Sequence, residues 1–512
     1  MNQTESQDEV FALLSAPATH GGATVRRIDT HAAAVFLAGD RVYKVKRAVK
    51  FPFLDFSDAA KRKAACEAEL VANRPFAPQL YRRVVAITRE ADGRLALDGA
   101  GDPTEWAVEM HRFDENATLD RLADRGIDLP LADALARAVA AAHRKAPVVD
   151  AAPWLDALGD FIGQNDAAFR AAPDLFPARD AQVLTRKSRA ALSRVRPLLR
   201  ERGRQGLVRR GHGDLHLGNI ALIDGSPVPF DALEFDPLVA AGDVFYDLAF
   251  LLMDLTERGL KDAANTVLNR YLAETQRLSD LDALAALPLF MSVRAAIRAK
   301  VTAARLEAAS DQRDALTKAA RTYFGFACTL IDPPPPRLVA VGGLSGTGKS
   351  VLARALSPDV PPAPGAVHLR SDVERKVLFG VAETERLPAD AYSAQAGARV
   401  YAALYDKARH VLIAGHSVIV DAVFARPEER TKLAAIAAAA GARFHGLFLI
   451  ADLPTRLARV GGRRNDASDA EANVVAQQQS YDLGEIDWTE VDASGTPDDT
   501  LASARAAIEQ AP

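Results

Sequence analysis

The segment Gly343-Leu344-Ser345-Gly346-Thr347-Gly348-Lys349-Ser350 has the residue types needed to hold the phosphates of a nucleotide. Its glycines let successive backbone N–H groups turn toward a phosphate without Cβ clashes. In such a loop the lysine bridges phosphate oxygens and the serine after it ligates Mg²⁺. We therefore expect ATP and Mg²⁺ to bind here, with catalysis by Lys349, a metal bond from Ser350, and nucleotide contacts from Gly343, Ser345, Gly346, Thr347, Gly348, Lys349 and Ser350.

Two carboxylates follow strand-like segments behind this loop. Asp372 ends the stretch that starts at His368, and Asp421 ends the apolar run 417–420. Because ligands of open α/β sheets bind outside the carboxyl ends of the strands, both acids are expected where a substrate or Mg²⁺ would lie. Either acid alone would commonly be a helix N-cap. Two of them behind one glycine loop favour a functional interpretation.

The stretch 456–466 contains four arginines around two glycines. This composition predicts a mobile basic lid that closes over the transferring phosphoryl group, with Arg463 in catalysis and Arg459 and Arg464 as nucleotide contacts. A solvated basic loop is equally compatible with the composition.

Residues 338–495 resemble the small P-loop kinases grouped with predicted kinases and zeta-toxin-like phosphotransferases. The matching stretches are the glycine loop, Arg370-Ser371-Asp372, Ile419-Val420-Asp421-Ala422 and Asp466-Ala467-Ser468-Asp469-Ala470. The resemblance implies that Asp372 faces the acceptor hydroxyl as substrate anchor and general base. It implies that Asp421 supports Mg²⁺ or shares the role of base, and the division of roles between the two stays open.

A second constellation lies in the segment 211–219, which reads Gly-His-Gly-Asp-Leu-His-Leu-Gly-Asn. Asp214 is followed five residues later by Asn219, and the strand-like run 227–230 delivers Asp231. This spacing matches a kinase catalytic loop, in which the first acid accepts the acceptor proton and the amide and second acid hold Mg²⁺. We predict these roles for the three residues, with Asp236 as a rival to Asp231.

The region 25–330 resembles the aminoglycoside and small-molecule phosphotransferase family, which also carries a stretch like Gly242-Asp243-Val244-Phe245-Tyr246-Asp247-Leu248-Ala249 after its metal aspartate. The resemblance implies that Lys44 pairs with the ATP phosphates and that Glu69 orients it. Lys46, on the same strand face, and Glu67 are the alternatives. It also implies a hinge at 106–113 that holds adenine. No G-x-G-x-x-G loop precedes the lysine strand.

The elements that must position these residues follow from local patterns. Two strands, 33–38 and 41–46, flank the turn Gly39-Asp40, and a helix follows over 58–73. A strand is predicted at 338–341 and a helix at 351–356, on either side of the glycine loop. From 119 onward the pattern is mainly helical, and 208–235 is a loop-rich insert. The four prolines of 332–337 mark a domain junction.

We therefore predict two domains of the α/β and α+β classes. Residues 1–331 form a bilobal protein-kinase-like phosphotransferase domain, with a small lobe at about 24–110 and a large helical lobe at about 111–331. A proline linker at 332–337 leads to a doubly wound P-loop NTPase α/β fold at 338–512. The whole chain resembles bacterial fusions of an aminoglycoside phosphotransferase-like domain with an ATP-binding kinase-like domain.

The bulk composition narrows the function classes. The 512 residues are 49% hydrophobic and carry a net charge of −4, so no basic field favours nucleic acid or a membrane as partner. We interpret the arginine-rich stretch 186–210 as a solvated helix face. Two cysteines and a polar start without a signal-peptide pattern predict a cytoplasmic protein. The sequence does not indicate an oligomeric state.

The expected function is ATP-dependent transfer of a phosphoryl group to a hydroxyl of a small molecule by each domain. For the first domain we expect a sugar or amino sugar-like acceptor. The alternative is a toxin-like or polynucleotide-end P-loop kinase that a non-catalytic, ATP-sensing kinase-like domain regulates.

Overall fold

The computed structural model describes residues 7–51, 54–234, 237–307, 312–462 and 466–510. By its internal contacts the chain divides into two compact units. The first unit comprises the described parts of Met1–Ala167 and Leu199–Asp254, and the second comprises those of Ala168–Leu198 and Leu255–Pro512. The predicted junction at 332–337 lies inside the second unit. The two units are defined by contacts and not by where one fold ends along the chain, so the predicted domain boundaries stay predictions.

A six-stranded antiparallel sheet forms the N-terminal part of the first unit. Its elements are α1 (Asp8–Ser15), β1 (Val25–Asp29), β2 (Ala33–Ala38), β3 (Arg41–Lys46), the short pair β4 (Lys50–Phe51) and β5 (Leu54–Asp55), α2 (Ala59–Asn73), β6 (Tyr81–Arg89), β7 (Leu95–Leu97) and β8 (Asp102–His111). The strand order is β1-β2-β3-β8-β6-β7. The predicted hairpin β2–β3 is confirmed with the predicted bounds, and Asp58 caps α2 by accepting a hydrogen bond from the Lys61 N–H.

Alternating side chains bury both faces of this sheet. Phe36 and Val45 pack with Phe11 of α1 on one face. Val42 and Met110, which point the other way, pack with residues of α2, including Leu70, on the opposite face. Strand β3, which carries the lysines, therefore lies between two packed layers. Helix α2 packs against one face of β3, and the carboxylates of α2 can reach that face.

Helices and short strands continue the chain. They are α3 (Leu119–Leu122), α4 (Leu129–Lys145), α5 (Ala151–Ala171), α6 (Ala178–Arg204), β9 (Val208–Arg210), β10 (Ile220–Ile223), β11 (Ser226–Pro229), α7 (Pro237–Ala240), β12 (Ala241–Asp243), α8 (Val244–Glu257), α9 (Lys261–Thr275), α10 (Leu278–Ala283), α11 (Leu287–Ala304) and α12 (Arg313–Leu330). β10 and β11 form an antiparallel hairpin, and β9 pairs with β12. Most arginines of α6 lie on its exposed face, as predicted, but Arg202 is buried and paired with Asp243.

A five-stranded parallel sheet forms the C-terminal part of the second unit. Its elements are β13 (Arg337–Gly343), α13 (Lys349–Leu356), β14 (Val367–Arg370), α14 (Ser371–Phe379), α15 (Ala394–Ile413), β15 (Val418–Asp421), α16 (Pro427–Ala439), β16 (Arg443–Ile450), α17 (Leu453–Gly461), α18 (Ala472–Gln477), β17 (Thr489–Asp492) and α19 (Pro497–Gln510). In the order β14-β15-β13-β16-β17, the chain adds strands first on one side of β13 and then on the other. Ligands are therefore expected beside the carboxyl end of β13. The doubly wound prediction is confirmed.

One local prediction in this sheet is wrong. Asp372 does not end a strand, because β14 stops at Arg370 and Ser371 begins α14. Asp372 therefore lies in the first turn of a helix, where a carboxylate is favoured by the helix dipole. Within the described residues, every helix is too short or too polar to cross a membrane.

Candidate phosphate-binding sites

The glycine loop lies between β13 and α13, as predicted. Gly343 has φ +133°, and a Cβ added there would lie 2.6 Å from the carbonyl oxygen of Leu449. Gly346 has φ +87°, and a Cβ there would lie 2.6 Å from the carbonyl oxygen of Arg456. Both positions accept only glycine without backbone movement. The loop is thus pressed against β16 and α17 on its outer side.

Side chains outside the loop hold it in shape. The Ser345 N–H donates to Gln478 Oε1 at 2.7 Å, and Arg456 Nε donates to the Ser345 carbonyl at 2.8 Å. The Lys349 ammonium donates to the Leu344 carbonyl at 3.1 Å. Arg456 is buried within α17, so this arginine of the predicted lid supports the loop from behind. Sequence reasoning missed Gln478, which carries no motif.

Ser350 and Asp421 meet at the end of the central strands. Ser350 Oγ donates to Asp421 Oδ2 at 2.5 Å. Burial opposes the charge of this carboxylate, but the neighbouring groups of His368, Lys349 and Arg370 lower its pKa. An ionised carboxylate beside a hydroxyl on the first turn of α13 fits a Mg²⁺ ion that also binds nucleotide phosphates.

Ser350 and Asp421 together make a small donor set for a metal ion. In the parts of the chain that the structure describes, no three His, Cys, Asp or Glu side chains form a metal-binding group. Mg²⁺ commonly keeps several waters and takes one or two carboxylates plus substrate phosphates. The donor set of Ser350 and Asp421 is compatible with Mg²⁺ that also binds nucleotide phosphates.

A cavity of about 1650 Å³ opens in front of the loop. It is bounded by the glycine loop, by Asp372 and Arg375 of α14, and by Tyr392 and Tyr401. Pockets for a single drug-sized ligand are roughly 300–1,000 Å³, so this larger space can take a nucleotide and an acceptor together. The structure brings Asp372 to the wall of the cavity that contains Ser350.

The predicted lid is only partly described. Arg459 lies on α17, lines the cavity, and donates to the carbonyl oxygens of Ala493 at 2.7 Å and Gly495 at 2.9 Å. Arg463 and Arg464 lie outside the described residues, and their roles stay predictions. Asp466, just after them, pairs with Arg370 at 3.2 Å.

A buried carboxylate holds the start of the kinase-like loop of the first unit. Asp247 of α8 accepts hydrogen bonds from the backbone N–H groups of His212 at 2.8 Å and Gly213 at 2.9 Å. Asn219 Nδ2 donates to Asp214 Oδ2 at 2.9 Å. The predicted base and the predicted metal amide are therefore neighbours on a loop of fixed backbone.

Lysine and carboxylate side chains form a buried network beside this loop. Lys44 Nζ lies 2.8 Å from Glu69 Oε1 and 2.6 Å from Asp231 Oδ1. Lys46 Nζ lies 2.6 Å from Glu69 Oε2 and also pairs with Glu234. Burial opposes the charge of Lys44, but its carboxylate neighbours, Asp231 foremost, raise its pKa well above the usual value.

The structure separates Glu69 from Glu67 by burial, and Lys44 from Lys46 by a single contact. Glu69 is fully buried, whereas the side chain of Glu67 is 58% exposed and faces Lys63. Both Lys44 and Lys46 reach Glu69, but Lys44 is the lysine that contacts Asp231. The geometry thus favours Lys44 and Glu69 as a pair, with Lys46 as a second partner of the same carboxylate.

The segment that carries Asp231 is fixed by two residues that sequence reasoning missed. The Asp231 N–H donates to Tyr81 Oη at 3.0 Å, and the Ala232 N–H donates to Asn73 Oδ1 at 2.8 Å. Asp231 itself has φ +61°, an unusual conformation for a residue with a side chain. Asn73 lies one helical turn after Glu69 on α2, so helical periodicity contained a signal for it. Asp236, which the sequence offers as an alternative to Asp231, lies outside the described residues.

The predicted hinge at 106–113 comprises the end of β8 and the residues just after it, and its role with adenine stays a prediction. β8 runs to His111, and Phe113 just beyond it packs edge-to-face on Phe230 at 4.9 Å between ring centres. β1 and β2 are joined by a turn in which the Ala33 N–H donates to Thr30 Oγ1 at 3.0 Å. This turn has no glycine in it, as the sequence indicated.

Fold and sites define a chain with a kinase-like antiparallel lobe and a P-loop domain. Residues 338–482 match the family model described as "AAA domain". The chain is 31% identical to "Uncharacterized protein Rv2004c" of Mycobacterium tuberculosis over 471 residues, which cover 89% of this chain and 90% of that protein. "Uncharacterized protein Mb2027c" of Mycobacterium bovis matches with the same figures. The chain belongs to the family of these mycobacterial proteins.

Solved structures with partial similarity include two kinases. A gluconokinase from Sinorhizobium meliloti is 21% identical and covers 34% of this chain and 95% of its own, with a TM-score of 0.24. Choline kinase from Cryptosporidium parvum is 11% identical and covers 62% of this chain and 94% of its own, with a TM-score of 0.40.

Proposed function

We propose that this chain is an ATP-dependent phosphotransferase with two sites, each of which moves the γ-phosphoryl group of Mg-ATP to a hydroxyl of a small molecule. The observation that carries the proposal is that Ser350, which lines a cavity together with Asp372, donates a hydrogen bond to the buried carboxylate of Asp421. A hydroxyl and a carboxylate for the metal, a lysine for phosphate and an acid for the acceptor are the parts that this reaction needs.

In the P-loop site the roles follow from position. The loop N–H groups and Lys349 bind the phosphates, and Ser350 and Asp421 would hold Mg²⁺, which would supply positive charge beside them. Asp372 accepts the proton of the acceptor hydroxyl while the oxygen of that hydroxyl bonds to the γ-phosphorus. The bond from the γ-phosphorus to the bridging oxygen of ADP breaks in the same step, and ADP leaves with the electron pair.

The first unit supports a second site by a separate observation. Lys44 contacts both Glu69 and Asp231, and Asp214 contacts Asn219. In this proposal Asp214 orients the acceptor hydroxyl and accepts its proton, while Asn219 and Asp231 are the groups that would hold Mg²⁺. We propose a sugar or amino sugar-like acceptor for this half.

Labelled ATP and a metabolite extract test both assignments. The intact chain, Asp214→Ala and Lys349→Ala would be incubated with γ-labelled ATP, and the labelled products compared by chromatography. Each variant should lose a different product. If neither variant loses any product, the two-site proposal is wrong.

The same experiment includes the alternative function. Adding polynucleotides with free 5′-hydroxyl ends asks whether the P-loop half phosphorylates nucleic acid. Labelled ends that disappear in Lys349→Ala and persist in Asp214→Ala, without any small-molecule product, would favour a polynucleotide-end kinase with a regulatory first half. Calorimetry on Lys349→Ala then shows whether the first half still binds Mg-ATP.

A further inference from the structure

Helix α9 covers the outer edge of the parallel sheet. β14 is the edge strand, and such strands present backbone groups without strand partners. Asn269 Oδ1 accepts a hydrogen bond from the His368 N–H at 2.7 Å, and Asn269 Nδ2 donates to the Ala366 carbonyl at 3.1 Å. Asn265 Nδ2 donates to the same carbonyl at 3.0 Å. Side-chain amides of α9 thus take the place of a sixth strand.

The covered strand carries two groups that face the metal carboxylate. His368 Nε2 lies 3.5 Å from Asp421 Oδ2, and Arg370 Nε lies 3.9 Å from the same oxygen. Residues two apart on a strand share a face, so a backbone fixed at His368 sets the position of both groups. Among the described residues Arg370 Nε has no hydrogen-bond partner, so this N–H is available to the site.

A second connection from α9 reaches the same carboxylate through side chains. Arg270 Nη1 donates to Glu383 Oε2 at 2.8 Å, and Glu383 Oε1 lies 3.8 Å from Arg370 Nη1. Arg370 also donates to Asp466 at 3.2 Å. Two acids, Glu383 and Asp466, therefore hold the guanidinium of Arg370 in place beside Asp421, and Arg270 fixes one of them.

We propose that Asn269 and Arg270 are positioning residues of the P-loop site. They hold β14 and Glu383 so that His368 and Arg370 keep the Asp421 carboxylate directed at Ser350. The inference rests on the proposed function, in which Ser350 and Asp421 bind the Mg²⁺ of Mg-ATP. Helix α9 precedes the region that matches the AAA domain model, so the site would depend on a helix from outside that region.

The test measures binding in the full chain, with Asp231→Asn in the background to remove Mg-dependent binding by the first unit. Calorimetry would compare a non-hydrolysable ATP analogue with and without Mg²⁺. Asn269→Ala and Arg270→Met should weaken the Mg²⁺-dependent part of the affinity on the order of tenfold, as substitutions behind metal ligands do. Arg270→Lys, which keeps the charge toward Glu383, should recover most of the loss.

Lys261→Ala is the matched control. Lys261 lies on the same helix and pairs with Asp359, which also pairs with Arg505. It should leave Mg²⁺-dependent affinity unchanged. Hydrogen exchange gives a readout without ligand: the His368 amide should exchange faster in Asn269→Ala and at the normal rate in Lys261→Ala.

The outcomes separate the inference from the function on which it rests. Normal Mg²⁺ dependence in both Asn269→Ala and Arg270→Met overturns the inference alone. An equal loss in Lys261→Ala also overturns it, because docking of α9 in general would then explain the effect. If Mg²⁺ does not improve binding even without these substitutions, the proposed function fails and the inference fails with it.

Discussion

The buried carboxylate of Glu69 offers the sharpest test of the lysine network. Glu69→Gln keeps the shape of the side chain and removes the charge that faces Lys44 and Lys46. Removing one partner of a buried ion pair typically costs about 3–5 kcal/mol. Because Asp231 still faces one lysine and Glu234 the other, we expect the lower end of that range, about 3 kcal/mol.

Hydrogen exchange measured by mass spectrometry can localise this loss to β3 and α2. A change of about 3 kcal/mol corresponds to roughly a hundredfold faster exchange of amides that open with this network. Peptides from the parallel sheet serve as an internal reference, because they belong to the second unit. Binding of Mg-ATP by the first unit should be lost in the same variant.

Glu67→Gln is the matched control, since it removes the same charge from the same helix at an exposed position. Its effect should stay within about 0.5 kcal/mol. The reasoning is refuted if both variants exchange alike, or if Glu69→Gln slows exchange. Either result would mean that the two lysines do not depend on the Glu69 charge for their burial.

Three further predictions concern other buried groups. Asp247→Asn should lower turnover by the first unit on the order of a hundredfold at nearly unchanged ATP affinity, measured by steady-state kinetics, because the catalytic loop loses its anchor. Burial lowers the pKa of His416 to about 4, so below pH 6.5 the unfolded chain binds a proton that the folded chain does not. The free energy of unfolding should therefore fall as pH falls from 6.5 toward 4. Urea titrations of His416→Gln should show a weaker fall. Burial raises the pKa of the Cys66 thiol to about 12, so iodoacetamide at pH 8 should label it, by mass spectrometry, only after unfolding.

The sequence predicted the parts of both sites that depend on local spacing. The glycine loop, the hairpin β2–β3 and the pair Asp214 and Asn219 are each encoded within a few residues, and their geometry follows from backbone rules. The choice between Lys44 and Lys46 could not be made this way, because a period of two places both on one face of β3. The structure shows why: both lysines bind Glu69, through different oxygens.

The parts that the sequence did not predict are contacts between distant segments. Asn269 and His368 are 99 residues apart, and Ser345 and Gln478 are 133 apart. Single amides on helices carry no periodic signal for such pairs. Arg456 was assigned to a lid because arginines cluster there, but burial in α17 and a bond to the loop carbonyl give it a supporting role. Composition alone does not separate these cases.

The unequal burial of the lysine network suggests how Lys44 could serve a nucleotide. Its partner Glu69 is fully buried, whereas the side chain of Asp231 is 46% exposed. A half-exposed carboxylate gives up its partner at less cost than a fully buried one, because water can solvate its charge. We therefore expect Lys44 to keep Glu69 and to give up Asp231 when phosphates arrive, which frees that carboxylate for the metal. Lys46 makes this exchange cheaper, because Glu69 remains paired while Lys44 shifts.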